Sequence, residues 1–233
     1  MKKFLLFGAC VLGCGSPAFA GTLIAGANAL SGTTFAAEPW LAGATVEDER
    51  TAFSIPLSGG QLTGTVQSRV LLADDNTYDF YWRIYDIAIS DTAAPTAIRQ
   101  FRLGEFGTAI AGLNGNYRTD GFGDVGPYRA YVFTGSLDSY VNFQFEENAL
   151  GVGDESLFFF LDTEAKNYAR TAIFDVTAYD GQNSSSSFTT FGVSSAPSVP
   201  EPATWGMLIL GFAAIGGAMR RDSRRTVFAQ AFR

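Results

Sequence analysis

The chain has 233 residues, of which 16 are basic and 23 acidic, so its formal net charge at pH 7 is -7. The excess acid lies between Gly21 and Pro200, where 21 acidic and nine basic residues give a net charge of −12. So acidic a surface repels nucleic acid and anionic membrane faces, and we expect no nucleic-acid partner. The chain contains no histidine, which excludes the usual general base near neutral pH and the commonest metal ligand.

The N-terminus has the three parts of a secretory signal peptide. A cationic start, Met1–Lys3, precedes an apolar run of twelve residues, Phe4–Gly15. Ala18 and Ala20 then occupy the minus-three and minus-one positions of a cleavage site before Gly21. The sequence therefore predicts that residues 1–20 are a signal peptide, which is removed on export.

The only two cysteines, Cys10 and Cys14, lie inside this segment. Cleavage after Ala20 leaves a mature chain without disulfides, thiolate–zinc sites or thiol catalysis. An alternative is lipoprotein processing, because Val11–Cys14 loosely resembles a lipoprotein box that would lipidate Cys14. The very short apolar run before Cys14 favours cleavage after Ala20.

The next segment, residues 21–193, has the period-two pattern of β-strands. On Gln61–Leu72, four apolar side chains share one side: Leu62, Val66, Val70 and Leu72. Alternation also marks Val141–Glu146 and Ala172–Thr177, and in the latter Ala172, Phe174 and Val176 share one face. The uninterrupted apolar run Leu157–Leu161 predicts a strand that is buried on both faces.

Aromatic residues are concentrated in another predicted strand, Tyr78–Ile89. Alternation places Tyr81 and Tyr85 on one face, and Phe80 and Trp82 on the other. One face could stack sugars; the alternative, which we favour, is a core face and a face of half-buried tyrosines.

Clusters of Gly, Asn, Asp and Ser separate the strands and predict turns. They are Ser58–Gly60, Asp74–Asn76, Asn114–Asn116 and Asp180–Ser187. A short helical turn is predicted over Glu164–Ala169. Many short strands with turns between them predict a mainly β fold, a single antiparallel β-sandwich of jelly-roll-like type over residues 21–193.

Two features of the body have candidate chemistry. Adjacent carboxylates could supply the acid and nucleophile of a polysaccharide hydrolase, although solvated acidic loops are the favoured interpretation. These pairs are Glu146/Glu147, Asp154/Glu155 and Asp162/Glu164. The glycine-rich stretch Leu113–Tyr128 contains four oxygen donors of the kind that calcium binds, although the same residue types dominate ordinary turns. The donors are Asn114, Asn116, Asp120 and Asp124, and no other cofactor is expected.

The C-terminal region predicts a linker, an anchor and a basic tail. Residues 194–202 are rich in Ser and Pro and predict an extended linker. Ala203–Met219 contains 17 uncharged residues and predicts a transmembrane helix of about 25 Å, with Trp205 near its outer end. Four arginines in the tail, residues 220–233, place that tail in the cytoplasm and the body outside it. They are Arg220, Arg221, Arg224 and Arg225. The alternative is an apolar core helix with a solvated basic end.

The order of these features resembles a known sorting signal. Pro200, Glu201, Pro202 and Trp205, followed by the apolar segment and the arginines, resemble the PEP-CTERM signal of Gram-negative bacteria in its Pro-Glu-Pro-x-x-Trp form. The resemblance implies processing by an exosortase, a membrane transpeptidase, and then release to or attachment at the cell surface. Such signals are often found in bacteria that produce exopolysaccharide. The tail Asp222–Arg233 is longer than is usual in that family.

We therefore expect an exported, non-enzymatic protein of the bacterial envelope or extracellular matrix. The resemblance implies a transient anchor in the inner membrane before the protein reaches the surface. The expected partners are the exosortase, exopolysaccharide or matrix proteins, and the membrane through the C-terminal helix. The alternatives are the carboxylate-dependent polysaccharide hydrolase and a calcium- or carbohydrate-binding module.

Overall fold

The structure of the chain is a computed structural model, which describes residues 21–90, 96–135, 139–147, 149–179, 183–195 and 212. The chain divides into two compact units, Met1–Ala196 and Pro197–Arg233. The predicted signal peptide and, apart from residue 212, the predicted C-terminal helix lie outside the described residues. In the part of the chain that is described, no helix is long and apolar enough to cross a membrane.

Within the described residues the first unit forms two six-stranded sheets, and all of their strand pairs are antiparallel. The strands are β1 (Gly21–Thr22), β2 (Gly26–Ala29), β3 (Gly43–Leu57), β4 (Gly60–Ala73), β5 (Tyr78–Ser90), β6 (Ala97–Gly104), β7 (Asn114–Tyr117), β8 (Arg129–Thr134), β9 (Ser139–Gln144), β10 (Phe159–Asp162), β11 (Tyr168–Tyr179) and β12 (Asn183–Val193). The first sheet has the order β1-β7-β10-β5-β4-β3, and the second has the order β12-β11-β6-β9-β8-β2. A 3-10 helix, Pro39–Leu41, precedes β3. The mainly β, antiparallel prediction is confirmed.

One aromatic-rich core lies between the two sheets. Phe159 of the first sheet packs against Phe101 and Phe143 of the second, with ring centroids 5.0 and 4.8 Å apart. Trp82, also in the first sheet, donates a hydrogen bond of 3.1 Å from Nε1 to Oγ1 of Thr190 on β12. Because the buried indole N–H has a partner, this large side chain fills the core without an unsatisfied donor.

The predicted alternation of the strands is largely confirmed. On β4, Leu62, Val66 and Val70 are in the core, whereas Leu72 is only half-buried. The inward side chains of β9 and β11 are those that the sequence indicated, among them Val141 and Phe174. Within Leu157–Leu161 the side chains are buried on both faces of the sheet, as predicted: Phe159 and Leu161 face the core, and Phe158 and Phe160 the outer side.

Three predictions of local structure were wrong. Asn114–Asn116 is part of strand β7 rather than a turn, and Gly115 is needed there because an added Cβ would lie 2.8 Å from Leu23 Cδ1. The serine-rich residues from Asn183 onward begin β12, the edge strand that pairs with β11, so tertiary pairing outweighs their turn propensity. Glu164–Ala169 contains no helical turn.

A second, smaller apolar cluster lies on the outer face of the first sheet, on the side away from the shared core. Tyr81 and Phe160 stack there with their ring centroids 5.1 Å apart. Leu41, at the end of the 3-10 helix, covers them, and its carbonyl oxygen accepts a 3.4 Å hydrogen bond from the Tyr81 hydroxyl. The segment before β3 therefore folds over this face and bounds the concave sites described next.

Candidate functional site

The predicted sorting and cleavage residues lie outside the described part of the chain. These are Ala18, Ala20, Pro200, Glu201, Pro202, Trp205, Arg220, Arg221, Arg224 and Arg225. Two candidate sites are formed by described residues, and both are on the outer face of the first sheet.

The first site is a row of polar side chains across four neighbouring strands, called here the carboxyl row: Asp79 on β5, Asp162 on β10, Asn114 on β7 and Thr22 on β1. Asn114 Nδ2 donates to Asp162 Oδ2 over 3.3 Å, and Thr22 Oγ1 donates to Asn114 Oδ1 over 3.1 Å. Asp79 and Asp162 are hydrogen-bonded to each other through their carboxyl groups. The backbone N–H of Thr163 donates to Asp79 Oδ1 over 3.1 Å.

The two carboxyl groups of the row share a proton near neutral pH. Asp79 is 1% exposed, and its burial, reinforced by the negative charge of Asp162, raises the pKa of Asp79 to about 8. Burial also raises the pKa of Asp162 above its usual range. Their mutual hydrogen bond acts in opposite directions, raising the pKa of Asp79 and lowering that of Asp162. Burial therefore favours one proton that is held between Asp79 and Asp162.

An open groove of about 850 Å³ runs beside the carboxyl row. Its lining includes Asp162, Asn114, Glu164 and Trp40, whose side chain is 54% exposed. The predicted pair Asp162/Glu164 therefore lines one groove. Asp162, however, is hydrogen-bonded to Asp79, and hydrogen-bonded carboxyl oxygens lie about 3 Å apart, whereas glycosidases hold their two carboxyl groups roughly 5–9.5 Å apart. This spacing rules out Asp79 and Asp162 as an acid–nucleophile pair, whereas catalysis by Asp162 and Glu164 stays a prediction.

The other predicted carboxylate pairs form structural contacts. Glu147 is ion-paired with Arg99 at 3.0 Å, and Glu155 with Arg83. Asp154 Oδ2 accepts a 2.9 Å hydrogen bond from a backbone N–H in its own turn. Glu147, Asp154 and Glu155 thus each have a separate partner within the protein.

The four predicted calcium donors also have separate surroundings. Asn114 belongs to the carboxyl row, and Asn116 Oδ1 accepts a 3.0 Å hydrogen bond from the backbone N–H of Gly32. Asp120 is ion-paired with an arginine, and Asp124 is exposed. Among the described residues, no group of three or more acidic side chains could hold a metal ion.

The second site is a pocket of about 230 Å³ against the outer sides of β4 and β5, called here the Arg118 pocket. Aromatic side chains form much of its wall, and arginines supply positive charge. The main lining side chains are Phe35, Arg69, Tyr81, Arg118, Phe122 and Phe158.

Arg118 is the buried polar group of this pocket, with its side chain only 4% exposed. Its Nε and Nη2 donate to Asp120 over 2.6–3.0 Å, and its guanidinium carbon lies 3.2 Å from the centroid of the Phe35 ring. The guanidinium also interacts with the Tyr81 hydroxyl, although burial has the larger effect and raises the pKa of Tyr81. Nη1 is buried, and among the described residues it has no hydrogen-bond partner.

Asp120 is kept ionised beside Arg118. Its partial burial opposes ionisation, but the backbone N–H of Phe35 donates to Oδ2 over 2.7 Å, and Arg118 contributes further hydrogen bonds and charge. Together these interactions outweigh the burial, so the pKa of Asp120 lies below its usual range. The pocket therefore presents a charged acceptor next to a charged donor.

Three of the nine basic residues of the body gather around Phe158 and Phe122. The guanidinium of Arg69 lies 4.6 Å from the Phe158 ring centroid, and that of Arg83 lies 5.3 Å from the Phe122 centroid. Each of the three arginines is paired with a carboxylate, so the patch has little net charge. The pairs are Arg69–Asp48, Arg83–Glu155 and Arg118–Asp120.

Sequence reasoning missed both sites because their members come from strands that are distant in the chain. Asp79 was not among the predicted residues, and neither was any arginine of the pocket. One signal was present: Arg69 on β4 and Arg83 on β5 are charged residues within strongly apolar strand patterns. Charges at such positions generally need a partner, so they indicate a polar site on the second face of the sheet.

Comparison with known proteins identifies the C-terminal signal. The family described as the PEP-CTERM protein-sorting motif matches residues 198–225. Neither the search of curated proteins nor the search of solved structures finds a match to the chain. The chain thus carries a PEP-CTERM motif, which marks an exported protein that an exosortase processes, while its β body has no matched relative in these comparisons.

Proposed function

We propose that this protein is a non-enzymatic β-sandwich module that an exosortase delivers to the bacterial cell surface or extracellular matrix. The match of the PEP-CTERM protein-sorting motif to residues 198–225 is the observation that carries the proposal. Polysaccharide, matrix protein or a second copy of the chain would be the partner of the body.

The physical order of the C-terminal segments supports a transient anchor. Ala203–Met219 is slightly shorter than the roughly 20 residues of a comfortable span, so it holds the body at the membrane without surplus apolar length. The arginines after it keep the tail in the cytoplasm. Pro200, Glu201 and Pro202 then lie just outside the membrane, within reach of a membrane-embedded transpeptidase.

The chemistry of the body supports a binding role over catalysis. Asp79 and Asp162 are hydrogen-bonded to each other instead of facing a substrate from two sides. The other predicted carboxylates, Glu147 and Glu155, are used in ion pairs. Two concave sites, one of them with an exposed tryptophan, suit contact with an extended polymer.

Replacement of Pro200, Glu201 and Pro202 by alanine in the native host tests the sorting proposal. We expect the triple variant to remain full-length in the inner membrane, whereas the wild-type protein is processed and leaves it. A matched control replaces Ser194 and Ser195 of the linker, which precede the matched motif, with alanine and should be processed normally. Membrane fractionation with intact-mass analysis gives both readouts. Normal processing of the triple variant would contradict the proposal.

The same mass measurement tests N-terminal processing. Cleavage after Ala20 gives an exported protein that begins at Gly21. A lipidated Cys14 at the mature N-terminus would instead show that the protein is a lipoprotein anchored through its other end. That result would overturn the transient-anchor part of the proposal.

A further inference from the structure

Trp40 is an exposed tryptophan at the edge of a groove, and its indole ring has no stacking partner. The side chain is 54% exposed and lines the groove of about 850 Å³ beside the carboxyl row, called here the Trp40 groove. Among the described residues, no ring or arginine stacks on the indole, and its Nε1 has no hydrogen-bond acceptor. A single exposed apolar side chain needs no explanation by itself, but an unstacked tryptophan that lines a groove is typical of a binding site.

The backbone holds Trp40 in this position before any ligand binds. Trp40 is the middle residue of the 3-10 helix Pro39–Leu41, and Leu41 is fully buried in the small apolar cluster on the outer face of the sheet. Glu38, before the helix, is 1% exposed, and its carbonyl oxygen accepts a 3.1 Å hydrogen bond from the backbone N–H of Leu41. Because buried residues fix both sides of this turn, the indole is presented to the groove at little further entropic cost.

Glu164 gives the groove an accessible hydrogen-bond acceptor. Its side chain is exposed and lines the groove. Within the described part of the chain its carboxylate has neither a hydrogen bond nor an ion pair. The groove therefore combines an unstacked ring, an indole N–H and an unused carboxylate. Sugar hydroxyl groups satisfy such a mixture because each hydroxyl both donates and accepts.

The charge of the groove disfavours an acidic ligand. Asp75, Asp162 and Glu164 line it, and none of its lining residues is basic. Lys166 lies nearby, but its Nζ donates to the carbonyl oxygens of Asp75 and Asn76 over 3.2 Å each. A carboxylate or sulfate on the ligand would meet like charges at short range, in a body whose net charge is already −12. The ligand that fits this groove carries no acidic group.

The shape of the groove suits a chain of sugar rings. Several lining residues are small and leave room for a ring beside the indole; they are Ala109, Ala111, Gly112 and Ala165. The volume of about 850 Å³ lies in the upper part of the roughly 300–1,000 Å³ range of ligand pockets, so more than one ring is accommodated. A pyranose places its apolar C–H face on an aromatic ring while its hydroxyl rim reaches polar atoms.

We propose that the Trp40 groove binds a polysaccharide of uncharged hexose units and does not cleave it. One pyranose ring stacks on Trp40, and hydroxyl groups of the chain donate to the Glu164 carboxylate. This inference rests on the proposed function, because it names the ligand of the same non-enzymatic body, whereas the site itself follows from the groove.

Titration of the exported protein with cellotetraose, maltotetraose and tetragalacturonate at constant ionic strength tests the proposal. Tryptophan emission moves to shorter wavelength when an exposed indole leaves water, and Trp82, which is already buried, cannot supply that shift. We expect at least one neutral tetrasaccharide to bind in the millimolar range or more tightly with this shift, and tetragalacturonate to bind about tenfold more weakly. No binding of either neutral tetrasaccharide, or a preference for tetragalacturonate, would overturn the inference.

Calorimetric titration of exposed variants locates the binding site without risk to the fold. Trp40→Ala should weaken binding of the neutral tetrasaccharide about tenfold, whereas Trp40→Phe keeps a ring and should weaken binding less. Glu164→Gln should weaken binding about threefold or more, because a carboxylate is a stronger acceptor than an amide. The matched controls are Phe133→Ala, an exposed aromatic residue of the second sheet, and Glu146→Gln, an exposed glutamate. Equal affinity in Trp40→Ala and Phe133→Ala would refute binding in this groove.

Mass analysis of the tetrasaccharides after long incubation with the protein separates binding from catalysis. We expect them to stay intact. Shorter products that disappear in Glu164→Gln would show that the groove cleaves its ligand, and would overturn the non-enzymatic role.

The binding measurements do not depend on sorting. If the neutral tetrasaccharides fail to bind while the Pro-Glu-Pro variant is still trapped in the membrane, the groove assignment is wrong and the sorting proposal stands. If they bind but the sorting variant is processed normally, the reverse holds.

Discussion

Replacing Asp79 with Asn should remove a pH dependence that the carboxyl row imposes on folding. An unfolded Asp79 ionises near its ordinary pKa of 3.8, whereas in the folded chain its pKa is raised to about 8. Between pH 4 and pH 8 the folded state therefore holds a proton that the unfolded state has lost. The contribution of Asp79 to the free energy of unfolding is fully present below pH 4 and falls as the pH rises through this window. Above pH 8 this contribution no longer changes with pH.

The size of the effect follows from this one proton. Each pH unit within the window costs about 1.4 kcal/mol at most, so wild-type protein loses up to about 4 kcal/mol between pH 4 and pH 7. In Asp79→Asn the amide Nδ2 can donate to Asp162 and Oδ1 can accept from Thr163, so both contacts are kept without a titrating group. We expect the variant to match wild type near pH 4 and to be more stable by roughly 2–4 kcal/mol at pH 7.

Urea unfolding of the exported protein at pH 4, 5.5 and 7, followed by tryptophan fluorescence, measures this difference, because unfolding exposes buried Trp82. Asp124→Asn, which neutralises an exposed carboxylate, is the control and should follow the pH dependence of wild type. Wild type and variant share all their other carboxyl groups. The charge repulsion that develops as those groups ionise therefore cancels in the difference between the two free energies of unfolding. Parallel pH profiles for wild type and Asp79→Asn would refute the shared proton.

Further predictions concern the core, the domain boundary and metal. Phe159→Ala should destabilise the body by about 3–5 kcal/mol in urea unfolding, because it empties the centre of the aromatic core, whereas exposed Phe133→Ala should cost less than about 1 kcal/mol. A fragment of residues 21–196, which omits the second compact unit, should fold as a soluble β domain with a cooperative melt. Its aggregation would show that the body needs the C-terminal apolar segment to fold. Excess EDTA should leave the melting temperature unchanged, because Asn114 and Asp120 already have protein partners; a lower melting temperature together with bound calcium would contradict this.

The carboxyl row and the Arg118 pocket place polar and charged side chains on the outer face of the first sheet, whereas its inner face belongs to the apolar core. The carboxyl row lies across β5, β10, β7 and β1, whereas the Arg118 pocket lies against β4 and β5 beside the segment that follows β7. The polar side chains of both sites have hydrogen-bond partners within the protein, so a ligand meets side chains that are already ordered. Preorganisation of this kind lowers the entropic cost of binding.

The sequence by itself determined the features that depend on neighbours along the chain. Sorting signals are contiguous, so Pro200–Trp205 could be recognised without a fold, and the family model matches that region. Cleavage after Ala20 stays a prediction. Alternation along β4, β9 and β11 likewise identified their inward faces, because successive strand residues point to opposite sides. The absence of histidine excluded the usual general base near neutral pH and the commonest metal ligand.

Only the tertiary structure decided which side chains meet. Asn114–Asn116 has the composition of a turn, yet pairing with β10 makes it a strand and places Asn114 beside Asp162. Asp79 looks like an ordinary acidic residue until the register of β5 and β10 buries it against that second carboxyl group and holds its proton. Pairing register and burial are long-range properties of the sheet, and they set the pKa and the hydrogen-bond partners that local sequence leaves undetermined.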